Sequence, residues 1–271
     1  MSTSDSGEMF VPFAGELAGA GGPVGPAALL RTLGALISEL PARNEAGIAG
    51  AARMVAASIR GGGVVQAFGA GHSEAVTMEI AGRAGGFVPT NRLALRDIVL
   101  YGGEPTSALS DAQLERDPAI AHRLYELAEI RTEDVFVIAS NSGVNGAVVE
   151  LARLVTQHGH PLIAITSCAH TARATSRHPS GEKLIDLADV VLDNGAPYGD
   201  ALLPLPGGGA VCAVSSITSA LLVQLLVAEV TRHLLDAGET PPVYLSANIA
   251  GGDEHNAVLE ARYAGRIRRT A

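Results

Sequence analysis

Apolar residues recur at helical spacing across residues 27–60, at Leu29, Leu30, Leu33, Leu36, Ile37 and Leu40, then at Ile48, Met54, Val55 and Ile59. Pro41 falls between the two sets, and a proline removes a helix donor and crowds the preceding turn. The pattern therefore predicts two helices ahead of the first strand. After three glycines at 61–63 the period changes: residues 64–68 form a short apolar run ending in Gly69, as a strand buried on both faces would. Similar runs occupy 135–139, 162–166 and 190–192, and a weaker one lies at 87–88. Helical patterning fills the gaps, notably over 144–158. Alternating strands and helices predict an α/β fold, a doubly wound parallel sheet. A long covering helix is expected over 215–235 and a terminal helix over 254–268. No repeat of solenoid period is visible.

This pattern divides the chain into a Ser-, Gly-, Ala- and Pro-rich arm at 1–26, a main domain at 27–240 and a C-terminal appendage at 241–271. Residues 91–118 read as a long, Gly- and Pro-punctuated segment, of a length that is uncommon without a functional role or disorder.

Composition narrows the classes. The 271 residues are 47% hydrophobic, enough for a full-sized core. A formal charge of -9, with basic residues clustered only at Arg266, Arg268 and Arg269, argues against a nucleic-acid partner, because phosphate neutralisation needs grouped cations. The first residues carry acidic charge and no apolar run, so no signal peptide is expected and the protein is placed in the cytoplasm. The longest apolar stretch, near 220–230, is read as a buried helix too short to cross a bilayer, and no membrane partner is expected. Cys168 and Cys212 lack any ligand or disulfide spacing, so no metal is expected. Lys183 is the sole lysine and has neither a Walker loop nor Schiff-base surroundings.

In open parallel sheets ligands bind beyond the carboxyl ends of the strands, and here those ends are polar. The first reads Gly69-Ala70-Gly71-His72-Ser73-Glu74: glycines admit an anion close to the backbone and Ser73 offers a hydroxyl. Glu74 stands where a dinucleotide fingerprint needs its third glycine, which argues against NAD. The second reads Ser140-Asn141-Ser142-Gly143-Val144-Asn145, again hydroxyls, amide and glycine before a helix. Thr166-Ser167 and Asp193-Asn194-Gly195 end the third and fourth runs. One such loop is ordinary turn chemistry; four at successive strand ends point to a small anionic, hydroxylated ligand.

In order and spacing these loops resemble the SIS (sugar isomerase) family, with a GxGxS loop after the first strand and an SxSGx[ST]-like loop after a later one. The likeness spans about residues 27–240 and is nearest a stand-alone subgroup carrying GHS, SNSG, DNG and DEHN. Asn145 departs from it, since many relatives have a hydroxyl there. The resemblance implies a flavodoxin-like SIS fold, a homodimer with its site near the subunit interface, and a phosphosugar ligand bound without cofactor. It assigns the phosphate to Ser73, Ser140, Asn141, Ser142 and Asn145. Gly71, Asp193 and Asn194 are the expected sugar contacts.

Chemistry on such a ligand begins with removal of a proton beside a carbonyl, which calls for a carboxylate or imidazole near the sugar carbons. Glu79, six residues beyond Ser73, is the expected base; its rival role is a surface ion pair with Arg83 at i,i+4. A similar Glu in phosphoheptose isomerases supports the first. His72, inside the loop, and His255, in Asp253-Glu254-His255-Asn256, are the further candidates for proton transfer, His255 acting on its own or a neighbouring subunit's site. The first loop is similar to that of N-acetylmuramic acid 6-phosphate etherases. The expectation is thus a lyase dehydrating N-acetylglucosamine 6-phosphate, with an aldose-ketose isomerase and a non-catalytic phosphosugar sensor as alternatives.

Overall fold

The computed structural model describes residues 24–110 and 113–268, so most of the predicted arm lies outside the described residues. Five strands, β1 (Val65–Gly69), β2 (Thr90–Leu93), β3 (Val135–Ala139), β4 (Leu162–Thr166) and β5 (Val190–Asp193), form one sheet. All four pairings are parallel, in the order β2-β1-β3-β4-β5. This is the flavodoxin-like doubly wound order, with its topological switch between β1 and β3.

Side chains alternate across the sheet as the strand period of two requires. Val135, Val137 and Ala139 enter one core, which is closed by α1 (Pro26–Arg60), α2 (Glu74–Ile80) and α8 (Ser215–Asp236). Phe136 and Ile138 enter the other, under α3 (Asp97–Leu100), α4 (Ala119–Leu127), α5 (Gly146–Gln157) and α7 (Leu184–Leu187). The short α6 (Cys168–Arg173) follows β4 at the carboxyl edge.

Several expectations are corrected. The two N-terminal helices are a single 35-residue helix that passes through Pro41. Proline costs one helical hydrogen bond but has a helix-compatible φ, and tertiary contacts on either side keep the axis continuous. Leu40 is fully buried, and Asn44 bonds to the end of β5. The weak strand at 87–88 gives way to β2, which begins at Thr90; Phe87 makes only an isolated bridge to Val243. β2 escaped the apolar pattern because its buried Asn91 pairs with Gln66 of β1 at 2.9 Å. An unforeseen antiparallel hairpin, β6 (Ala201–Pro204) with β7 (Ala210–Ala213), precedes α8.

At 22 residues α8 has the length and apolarity of a membrane-spanning helix, contrary to the shorter stretch expected. Leu222, Val223, Leu226, Val230 and Leu234 form its core-facing side against α1 and the sheet, while Ile217 and Leu235 are exposed. It is a half-buried cover, not a fully buried helix.

The predicted terminal helix is shorter, α9 (Gly252–Glu260) followed by a 3-10 turn (Ala261–Tyr263). Leu259 and Tyr263 pack with Val64 and Val88, the residues leading into β1 and β2, at the amino edge of the sheet. Two of the basic residues there are spent internally, while Arg269 lies outside the described residues. Arg266 pairs with the fully buried Asp134 and donates to the Gly62 carbonyl, and Arg268 pairs with Asp97.

Candidate functional site

The loop after β1 is folded back on itself: a Cβ on Gly69 would stand 2.4 Å from the Ser73 carbonyl oxygen, so only glycine fits. Gly71 takes φ +56° and His72 is exposed. Ser73 begins α2 without a side-chain cap bond, leaving its hydroxyl to face the space beyond the strand. After β3 the chain turns at Gly143, φ +66°, and the buried Ser140 Oγ accepts the Gly143 N–H at 3.1 Å.

These loops border a small cleft, about 10 Å3 of enclosed space, at the β1/β3 switch. Ser73 lines it from the first loop, Ser140 and Asn141 from the second, and Asn194 from the end of β5. Val76, Ala139 and Ile165 give it an apolar side, and the rest of the wall is the first turns of α8, Ser215, Ser216 and Ser219. These three serines went unrecognised in the sequence, where the hydroxyl-rich start of the apolar run was the available signal. They place the amino terminus of a long helix beside the cleft, where the helix dipole favours negative charge. Asp200 fixes that end: Oδ1 accepts the Ser215 N–H at 2.8 Å and Oδ2 the Ser215 hydroxyl at 2.7 Å.

A chain of amides runs along the floor. The Ala196 N–H donates to Asn194 Oδ1 at 2.9 Å; Asn194 Nδ2 donates to Asn141 Oδ1 at 3.1 Å and to Ser219 Oγ at 3.2 Å. Asn141 Nδ2 in turn lies 3.4 Å from His170 Nδ1 on α6. The His170 ring rests on Tyr198, centroids 4.9 Å apart, and the Arg173 guanidinium covers the same tyrosine at 4.0 Å. His170 was also missed, although it follows the third polar strand end by three residues.

Other expected residues stand outside the cleft lining. Asn145 is held between Glu115 Oε1, to which it donates at 2.9 Å, and Arg177, from which it accepts at 3.0 Å. The link from Glu115 to Asn145 brings the 91–118 segment against the second loop. The Ser142 carbonyl accepts from Thr171 Oγ1. Asp193 is a clamp: Oδ1 accepts the Cys168 and Gly195 N–H groups, each at 3.0 Å, and Oδ2 meets Arg43. Thr166 and Ser167 are fully buried, bonding to Asn141, Thr171 and Ala196.

Glu79 pairs with Arg83 and accepts from Gln224 of α8 at 3.2 Å. It stands about 9 Å along the axis from Ser73 and about 120° around it, at roughly 1.5 Å rise per residue and 3.6 residues per turn, and does not line the cleft. His255, exposed on α9, donates from Nε2 to the Val243 carbonyl at 3.1 Å, at the amino edge of the sheet.

Burial, reinforced by Asp193, pushes the Cys168 thiol up, so it is a poor thiolate source at neutral pH. Burial lowers the His170 imidazole; Asp200 opposes that shift and Arg173 adds to it.

Fold and site together define an open α/β protein with a hydroxyl- and amide-bearing cleft at its switch point. A family model described as the SIS domain matches residues 29–167. A UPF0309 protein of Listeria monocytogenes is 39% identical over 233 residues, 86% of this chain and 94% of the relative. Another from Geobacillus kaustophilus is 37% identical over 218 residues, 80% and 85% of the two chains. The chain therefore belongs to the phosphosugar-binding SIS family, and within it to the UPF0309 proteins. Among solved structures, a candidate phosphosugar isomerase involved in capsule formation from Bacteroides fragilis superposes with a TM-score of 0.50 at 18% identity, covering 79% of this chain and 90% of that one. That likeness is one of fold.

Proposed function

We propose that the protein is a phosphosugar lyase that dehydrates N-acetylglucosamine 6-phosphate, removing the C2 proton of the open-chain aldehyde and expelling the C3 oxygen as water. The observation that carries this reading is the cleft: neutral hydroxyls and amides, helix termini and, among the described residues, no lining cation. Such groups bind an anion by oriented hydrogen bonds. At about 10 Å3 its enclosed space holds about one water, far below the roughly 300–1,000 Å3 usual for a site that encloses a ligand. In this reading the phosphate sits at its mouth, on the ring of hydroxyls and amides, and the sugar reaches outward.

In this proposal Ser73, Ser140, Asn141 and the α8 serines hold the phosphate, and Asn194 and Gly71 border the sugar. Glu79 takes the C2 proton once its pair with Arg83 opens. His255 assists the departing oxygen from a neighbouring subunit of a homodimer. Two features support that arrangement. α9 packs at the sheet edge opposite its own cleft, and Ile217, Ile249 and Val258 are exposed apolar residues on and around α8 and α9.

On a phosphosugar whose C2 bears a hydroxyl in place of the acetamide, the alternative fate of the enolate is reprotonation at C1, which gives an isomerase. The fold shared with a candidate phosphosugar isomerase favours keeping it. A proton NMR time course with N-acetylglucosamine 6-phosphate in deuterated buffer separates the two. A vinylic signal with loss of the C2 proton establishes elimination, and an exchange-labelled ketose formed from glucose 6-phosphate in a parallel run establishes isomerisation. Ligand-induced thermal stabilisation with no turnover makes the protein a sensor and overturns the enzyme reading.

A further inference from the structure

The 91–118 segment ends against the second loop, and the contact it makes there carries a charge. Asn145, the residue before α5, is held in one orientation by its neighbours. A guanidinium only donates, so the atom that Arg177 meets at 3.0 Å is the Asn145 side-chain oxygen. The NH2 group is then turned to Glu115 Oε1, at 2.9 Å. The other carboxylate oxygen, Oε2, lies over the first loop: a Cβ on Gly71 would stand 3.4 Å from it. Glu115 thus touches Gly71 of one loop and Asn145 of the other. Both residues are expected ligand contacts, and both stand outside the cleft lining.

The backbone behind the carboxylate is seated as closely. A Cβ on Gly146, the first residue of α5, would overlap the Arg116 carbonyl oxygen, so only glycine lets the chain at 115–116 lie on that helix start. No acidic residue stands in the first turn of α5. Glu115 supplies from outside the helix the negative charge that the dipole favours there.

We propose that Glu115 is a built-in anion joining the two loops that border the cleft, an autoinhibitory contact that disfavours phosphate on the cleft hydroxyls. The proposal rests on the reading of the cleft as a phosphosugar site and concerns the regulation of that site. The contact holds the loops in the arrangement that encloses only about 10 Å3. Gly71 and Ser73, two residues apart, are separated by at most about 7 Å. A phosphate at Ser73 therefore lies roughly within the Debye length of the carboxylate, about 10 Å at 0.1 M salt. Between a carboxylate and a dianion at such a distance, repulsion is worth about tenfold in affinity, for a dielectric between those of water and a protein surface. Arg177, at the other end of Asn145, keeps its charge whether or not Glu115 carries one, so it does not alter the sign.

The test is calorimetric titration of the full chain at about 0.01 M salt, where screening is weakest. N-acetylglucosamine 6-phosphate and inorganic phosphate are titrated separately into the wild type and Glu115→Gln. Glutamine keeps an oxygen that accepts the Asn145 N–H and removes only the charge. Affinity for both ligands should rise about tenfold in the variant, and the gain should shrink to about twofold or less in 1 M salt. Equal or weaker binding by the variant overturns the proposal, because a purely structural role for Glu115 gives no gain. A gain that salt leaves undiminished overturns it as well, since the cause is then not charge. If neither protein binds either anion, the phosphosugar reading of the cleft fails and the coupling falls with it. Equal binding by both proteins strikes the coupling alone.

Discussion

Asn44 and Asp193 exchange two hydrogen bonds: the Asn44 side-chain oxygen accepts the Asp193 N–H at 2.7 Å, and its NH2 group donates to the Asp193 carbonyl at 3.0 Å. One buried side chain on α1 thereby replaces a missing neighbour strand at the end of β5 and sets where the Asn194 loop begins. Asn44→Leu keeps the volume and leaves both backbone groups unpaired. It should cost about 2–6 kcal/mol, given roughly 1–3 for each of the two groups left unsatisfied. Equilibrium denaturation with an unchanged slope would check it; a loss below about 1 kcal/mol would show that water takes over the role.

Ser216 lines the cleft yet is exposed in the first turn of α8. Ser216→Asp should weaken phosphosugar binding by tenfold or more through charge repulsion. Stability without ligand should be unchanged or raised, because an acidic group at a helix start gains about 0.3–1 kcal/mol. Calorimetric titration beside the apo melting temperature reads both, and equal affinity would move the phosphate elsewhere.

Glu79→Gln removes a partly exposed ion pair whose contribution to stability is about 0–1 kcal/mol. If Glu79 is the base, turnover should fall at least about 100-fold, the usual range for a positioned proton acceptor. Retained turnover in a normally folded variant would leave Glu79 only its pair with Arg83.

His160 is buried; its Nε2 lies 3.1 Å from the Tyr125 hydroxyl and its Nδ1 3.3 Å from the Asp134 carbonyl. Burial depresses its pKa below the usual 6.5. A histidine depressed in the folded state binds fewer protons there than when unfolded. Its contribution is complete above the unfolded pKa and is lost as pH falls below it. Melting temperature should therefore drop from pH 7.5 towards 5, and His160→Gln should flatten that slope. An identical slope in the variant would transfer the effect to other groups.

Arg266 and Asp134 form a pair with 3% and 0% side-chain exposure. Arg266→Met strands the carboxylate, although Val64, Gln66 and Arg131 still donate to it. A loss of about 3–5 kcal/mol is expected for breaking a buried pair from one side, measured by denaturation. A near-neutral result would show that those donors suffice for the charge.

What the sequence determined by itself was local. Residues 135–139 and 162–166 were legible as strands to the residue, because a run buried on both faces needs only its own apolar character. The polar strand ends were legible for a similar reason: Gly143 and Ser140 make their turn within three residues. Hence the family, the doubly wound sheet and the β1 and β3 loops could all be read from the chain.

The tertiary structure alone decided what depends on distant partners. Pro41 argued for a break, and packing around Leu40 and Asn44 overrode a local cost. β2 was hidden because its polar Asn91 is satisfied only by Gln66 in the neighbouring strand. Ser219 and His170 reach the site through bonds to residues 25 and 29 positions away. No pattern along the chain encodes which amide faces which, since that direction is imposed by a single backbone N–H at Ala196 acting through folded space.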